Sequence, residues 1–406
     1  MTQSKSTRTD IRQLGMVKPL MPLAVATFAV GTDAFVIAGL LPAIADDIDV
    51  GVAAAGQLVT VFALTLAVAA PVLSWLLSVF DRRKALQIAL VVFVLGNVVT
   101  ALSPNYPIIM SARVLTALGA ASITASASSA AVAIAPEERR GRAMALVIGG
   151  LTLSTALGMP LGNLIGGIDW RFTLWAVAGL GVVAVAGISV WLPKVSLPEV
   201  SLTARLAPLG QSRVLTILLA TALVMAGHYT VYTYIGPITD NVRTGSFPQA
   251  LTLILFAWGL GVLAGNFLAG LWVDKRSSMG VAVAALGGGS VLLAVSPLTL
   301  GHLGIVIGWA VVWGAADGMA SVVQQHRLVA IAPESAPLLF GLNSSAIYVG
   351  VAIGGVLGGF TQSWLSITLL GIPAAAMALL ATLVTIIERR RSQRVEKAWG
   401  RTEYAV

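Results

Sequence analysis

The sequence predicts an all-α membrane protein with twelve transmembrane helices arranged as two six-helix bundles. Three observations carry this: the chain is 57% hydrophobic and only 10% charged, it holds twelve long apolar runs, and a short motif recurs at matching places in its two halves. An average soluble domain is about 25% charged and 45–50% apolar. So few charges cannot cover a water-facing surface around so apolar a core, and much of the surface must face lipid. The 42 Gly fit helices whose backbones approach closely in a bilayer.

A hydrocarbon core of about 30 Å requires roughly 20 apolar residues per helix. Such runs lie near 20–41, 54–78, 86–103, 107–134, 143–167 and 172–192. After a more polar stretch they resume near 213–236, 248–273, 279–299, 303–330, 338–361 and 365–387. Long runs without alternation are not barrel strands, and backbone groups in lipid must be satisfied within the segment, so each run is read as a helix. The expected organisation is a cytoplasmic tail at 1–18, a bundle at 19–193, a cytoplasmic linker at 194–212, a second bundle at 213–388 and a cytoplasmic tail at 389–406.

Lys and Arg set the orientation. With the N-terminus in the cytoplasm, 22 of the 25 basic residues fall on the cytoplasmic side, Arg327 among them. Arg171 and Arg243 lie opposite, and Arg113 falls inside a span. The first outer loop carries Asp46, Asp47 and Asp49 and no basic residue. Both termini are therefore expected in the cytoplasm of a multi-pass protein of the cell (cytoplasmic) membrane. The net charge of +8 is spread as topology signals between apolar runs, which argues against a nucleic-acid partner. The first 18 residues lack an apolar region ending in a cleavage site and are read as a retained tail.

Cysteine is absent and His is limited to His228, His302 and His326. Disulfides, thiolate zinc sites and cysteine nucleophiles are excluded, and no metal or cofactor is expected. With no His–acid pair at helical spacing and no zinc-protease motif, the chain is not read as an enzyme. Nor does it show a re-entrant filter segment or charge ring for a channel. A transport-inactive membrane sensor remains the alternative of another class.

The halves resemble each other. Ile134-Ala-Pro-Glu137 closes the fourth span and Ile331-Ala-Pro-Glu334 the tenth, and the loop after the second span aligns with that after the eighth. Two six-helix repeats related by an axis along the membrane normal are a carrier architecture, with the substrate site between the halves.

Four motifs bring a family into view: Phe35-Val-Ile-Ala-Gly-Leu-Leu-Pro-Ala-Ile-Ala45, Ala112-Arg113 with Gly119, Pro136-Glu-Glu-Arg-Arg-Gly-Arg-Ala143, and Gly158-Met-Pro-Leu-Gly162 followed by Gly166-Gly167. On these the chain, from Pro19 to Glu388, resembles the major facilitator superfamily and within it the twelve-span drug:proton antiporters, near the arabinose-efflux and chloramphenicol-exporter groups. The resemblance implies the major facilitator fold and secondary active transport by a single chain. Its expected partners are protons, membrane lipids and a small organic substrate, drug-like (chloramphenicol-like) or a sugar.

The family's loop motif after the second span is poorly kept: Ser74 stands at its Gly, Ser78-Val79 at its Asp-Arg pair, Asp81 at its next Gly, and only Arg82 and Arg83 match. The second copy, Gly270-Leu-Trp-Val-Asp274-Lys275-Arg276, is better kept. Such an Asp would face a helix N-terminus of the other bundle and latch the outward-closed arrangement. The plainer reading of the basic residues is topology alone.

Arg113 inside a helix costs at least about 2.5–3.5 kcal/mol on insertion scales, so it should face the bundle interior or a watery cavity. The resemblance associates it with proton coupling; the alternative is snorkelling to the outer headgroups. Asp33, mid-way along the first span, is the expected main proton site, since a carboxyl group where water is scarce is neutral or charged according to its surroundings. The resembled exporters commonly carry a Glu one residue on, where this chain has Ala34. A helix-packing role is the alternative. Asp317, among small residues of the tenth span, is a second candidate proton site or a partner for His228 or Arg113.

Pro160, between Gly158 and Gly162, should bend the fifth span. This matches a pattern of the superfamily's exporters, with Met159-Pro160 for their Gly-Pro, and otherwise reads as an ordinary kink. Gln57, Asn97, His228, Tyr229, Tyr232, Trp258, Asn266, Gln324, Asn343 and Tyr348 are candidates to line a substrate cavity. Only a fraction of them should touch substrate, because polar residues in spans more often make packing hydrogen bonds. Their neutral, aromatic character favours a neutral or weakly cationic substrate. Tyr229 and Tyr232 have the spacing that puts both rings on one helix face.

Overall fold

The computed structural model describes residues 3–196, 203, 206–242, 249–273, 275, 277–332 and 335–402. No strand occurs among the described residues, and eleven of their helices are long and apolar enough to cross a membrane. In chain order the first six spans are Lys18–Asp47, Val52–Val79, Arg82–Leu102, Tyr106–Ile134, Glu137–Gly166 and Trp170–Trp191. The seventh and eighth are Ser212–Tyr232 and Ala250–Val273, and the tenth to twelfth are Leu303–Val329, Leu338–Thr361 and Ile367–Arg391. The ninth apolar run, expected near 279–299, is made in two pieces, Ser278–Ala294 and Ser296–Thr299. Pro297 in the first turn of the short piece explains the break, because a proline has no amide to continue the ladder.

Helix ends follow local chemistry. Asp81 caps the third span by accepting from the amide of Lys84 at 3.1 Å. Asn105 accepts from Ile108 at the start of the fourth, and Asp169 from Arg171 at the start of the sixth. Apolar residues occupy both faces of a span. In the third, Ala85, Leu86, Ala89, Leu90 and Phe93 are buried while Ile88, Val91, Leu95 and Val99 are exposed. Trp75, Trp191, Phe267 and Trp364 are exposed as well. A surface apolar on this scale is lipid-facing.

The chain divides into two compact units, Met1–Leu202 and Thr203–Val406. Within the first, the first span packs on the fifth and sixth, the fourth on the second and third, and the third on the sixth. Within the second, the seventh packs on the eleventh and twelfth, the tenth on the eighth and ninth, and the ninth on the twelfth. The two lists are the same under a shift of six helices. The sequence similarity between the halves thus extends to their internal packing.

Close helix contacts run through glycine. A Cβ at Gly314 or Gly318 of the tenth span would stand 2.2 or 2.4 Å from the carbonyl oxygen of Trp258 or Val262 in the eighth. Gly261 and Gly265 return the contact against Val311 and Ala315. In the first unit, Gly158, Gly162 and Gly166 of the fifth span seat Thr32, Val36 and Leu40 of the first. The fifth span changes pitch just before Pro160: Ser154–Gly158 form a π turn, with the amide of Met159 bonded to the carbonyl of Ser154.

Gly314→Val should therefore force the eighth and tenth spans apart and destabilise the detergent-purified protein by about 1–3 kcal/mol or more. Gly308→Val, whose Cβ would enter open space on the same helix, should be near neutral. Equal melting temperatures for the two variants would contradict the interlock.

Candidate functional site

The first and fourth spans meet deep in the first unit. Asp33 and Arg113 are both fully buried, and Nη1 of Arg113 donates to Oδ1 of Asp33 at 2.8 Å. The guanidinium lies over the ring of Phe62 from the second span, 4.3 Å from its centroid. Arg113 stands two turns into its helix, and its burial excludes snorkelling in this conformation. Oδ2 of Asp33 and Nε and Nη2 of Arg113 have no hydrogen-bond partner among the described residues.

The pair is thus held by one charge-assisted bond, with acceptor and donor capacity left over. Removing either partner would leave the other charge buried and unmatched.

The first span is fixed against its neighbours beside the acid. Thr27 donates to the carbonyl of Val147 in the fifth span at 2.6 Å. Thr32 bonds back to Phe28 and fills the space against Gly158, one residue from Asp33. Gly158 and Gly162 therefore shape the surface on which the first span rests.

A second constellation forms in the second unit. His228, Tyr229 and Tyr232 of the seventh span, Trp258 of the eighth and Asp317 of the tenth are buried together with Trp313. The indole nitrogen of Trp313 donates to Nδ1 of His228 at 2.9 Å, and Oδ1 of Asp317 lies 3.4 Å from the same nitrogen. Asp317 is thus placed beside His228, whereas Arg113 is engaged by Asp33. Ring centroids are 5.2 Å apart for Tyr229–Tyr232, 4.7 Å for Tyr232–Trp258 and 5.8 Å for Trp258–Trp313. Asn266 stands against Gly318, next to the acid, and Tyr348 of the eleventh span is half-buried.

The remaining candidates are scattered. Gln57 and Asn97 each bond to a carbonyl of their own helix, at Ala53 and Phe93. Asn343 lies 3.4 Å from the hydroxyl of Thr221. Gln324 donates to the carbonyl of Ile217 and accepts from Arg327 at 2.5 Å. Arg83 donates to the carbonyl of Ser189 in the sixth span, and Arg82 is buried with its amide bonded to Val195. Lys275 is exposed in a turn, while Asp274 and Arg276 lie outside the described residues.

Arg327, counted with the cytoplasmic side and within the expected run 303–330, lies in the last turn of the tenth span, 5% exposed, and pairs with Glu388 of the twelfth. The helix runs to Val329, so this Arg is sheltered and must find its counter-charge within the unit. Trp309 and Trp313 were also not singled out by sequence. They stack at 4.7 Å, and the spacing Trp309, Trp313, Asp317 on one helix face was the available signal.

A sequence model of the Major Facilitator Superfamily matches residues 23–326. The chain is 34% identical over 378 residues to the inner membrane transport protein YdhP of Escherichia coli K12, covering 92% of this chain and 96% of that one. It is 33% identical over 371 residues to YbcL of Bacillus subtilis, an uncharacterized MFS-type transporter, covering 89% and 94%. A chloramphenicol resistance protein of Streptomyces lividans is 36% identical over 276 residues, 66% of this chain and 70% of that one.

If the buried pair is coupled, Arg113→Met should cost about 3–5 kcal/mol by stranding the carboxylate. The double variant Asp33→Asn/Arg113→Met should recover much of that loss. Unfolding in detergent measures it, and additive single effects would show that the two side chains do not depend on each other.

Proposed function

The chain belongs to the major facilitator superfamily, and on that premise we propose that this membrane transporter is a proton-coupled exporter of small amphipathic organic compounds. It works in the cell (cytoplasmic) membrane with both termini in the cytoplasm. Asp33 takes and releases the coupling proton, and Arg113 is the counter-charge that makes its two states differ in energy. The observation that carries this reading is the fully buried Asp33–Arg113 pair, with one oxygen of the acid unengaged.

Transport proceeds by alternating access of the two six-helix units. A proton entering from outside neutralises Asp33 and frees Arg113, which favours one access state. Release of the proton to the cytoplasm restores the pair and resets the carrier. The Gly158–Gly162 segment and its π turn give the fifth span a place to flex against the proton-site helix. Arg82, Arg83, Asp274, Lys275 and Arg276 serve as the latch of the outward-closed state. Similarity to a chloramphenicol resistance protein supports a drug-like substrate over a sugar and export over uptake.

In proteoliposomes loaded with a pH dye, chloramphenicol added against a preset proton gradient should accelerate its collapse. Asp33→Asn should abolish that proton movement and uphill pumping while retaining substrate-for-substrate exchange, which needs no proton. If Asp33→Asn pumps uphill at the wild-type rate, Asp33 is not the coupling site. If a panel of antibiotics and sugars moves no protons through the wild type, proton-coupled export is wrong.

A further inference from the structure

We infer that the start of the third span carries a site for one anionic phospholipid, whose phosphate Lys84 and Lys194 bind while an acyl chain lies along Ile88, Val91 and Val92. The inference begins with helix register. Lys84, Gln87, Ile88, Val91 and Val92 stand at positions i, i+3, i+4, i+7 and i+8, so they share one stripe of the third span. The interior stripe is a different one, made by Ala85, Leu86, Ala89, Leu90 and Phe93. Along the first stripe runs a shallow, open groove of about 380 Å³ lined by those five side chains. Lys84, Ile88 and Val91 are exposed in it.

The groove has the length of one leaflet. Val92 is eight residues beyond Lys84, about 12 Å by helix rise, and half of a hydrocarbon core of about 30 Å is about 15 Å. Lys84 follows directly on Asp81, Arg82 and Arg83, whose polarity puts this end of the helix at headgroup depth. The three aliphatic side chains then lie at the depth of acyl chains.

Polar contacts fix the mouth of the groove without engaging its two lysines. Asp81 caps the helix, its Oδ1 accepting from the Lys84 amide at 3.1 Å. The amide of Arg82 donates to the carbonyl of Val195 at 2.8 Å, which brings exposed Lys194, just after the sixth span, to the start of the third. Ser189 of the sixth span fastens the next turn: its carbonyl accepts from the Arg83 guanidinium and its hydroxyl from Nε2 of Gln87 at 2.7 Å. Nζ of Lys84 lies 4.8 Å from the centroid of the Phe80 ring. The ion pairs among the described residues include neither Lys84 nor Lys194.

Arg82, Arg83, Lys84 and Lys194 outnumber Asp81 at this mouth, and basic side chains at this depth draw anionic headgroups. The shape of the surface selects the occupant. A water-soluble anion would use the lysines and leave the aliphatic groove empty. An uncharged chain would use the groove and leave the lysines unmatched. A phospholipid with a net negative headgroup uses both.

The test is native mass spectrometry of the full-length protein purified in detergent and titrated with phosphatidylglycerol or, as the zwitterionic comparison, phosphatidylcholine. Wild type should retain one phosphatidylglycerol about tenfold or more tightly than phosphatidylcholine. Lys84→Ala and Lys194→Ala should each weaken that binding about fivefold, and the double variant about thirtyfold. Lys18→Ala, which removes an exposed charge at the start of the first span, should leave it unchanged. Inorganic phosphate should displace no more lipid than chloride does at the same ionic strength. Equal retention of the two lipids, undiminished retention in the double variant, an equal loss in Lys18→Ala, or full displacement by phosphate overturns the assignment. The lipid preference of the wild type needs no variant, so a poorly folded mutant cannot decide the outcome. The site shares no residue with the Asp33–Arg113 pair, so its result and that of the export reading stand separately.

Discussion

Arg113 is fully buried and bonds one oxygen of Asp33, and the first unit is built around that constraint. A guanidinium cannot shed its charge, so it needs a fixed counter-charge wherever it is buried. The first span must then hold Asp33 at one depth and one rotation. The glycine row of the fifth span and the Thr27 bond to Val147 provide that hold. The π turn at Ser154–Gly158 lies in the same contact.

The second unit repeats the packing with different chemistry. Its first and fourth helices, the seventh and tenth spans, again bring an acid and a basic side chain together in the interior. Here the base is an imidazole that already accepts a hydrogen bond from Trp313. The first unit therefore encloses an acid paired with a guanidinium, and the second an acid beside an imidazole already engaged as an acceptor. A duplicated scaffold carries unlike residues at the equivalent helix pair.

At the end of the second unit expected in the cytoplasm, Arg327, Glu388 and Gln324 tie the tenth span to the twelfth, with Arg213 3.6 Å from the same carboxylate. The corresponding end of the first unit is held differently. Asp81, at the place of a family Gly, caps the third span, and Arg83 reaches the last turn of the sixth. These bonds give the altered loop motif a local structural use in addition to any part in the transport cycle.

Sequence by itself determined where the helices lie and that a lone acid and a lone arginine sit at membrane depth. Hydrocarbon thickness imposes a one-dimensional rule on length and polarity, and a rule along the chain can be read along the chain. Asp33 and Arg113 were legible for that reason, as were the two halves, whose repeat survives in local motifs. The partners were decided only by tertiary structure. Asp33 and Arg113 are 80 residues apart, and whether they touch depends on how each helix is rotated and how closely glycines let the backbones approach. The same reasoning explains Arg327, which a charge count along the chain reads as a topology signal until the fold brings Glu388 beside it. It also explains Trp313, whose use depends on an imidazole contributed by a helix 85 residues away.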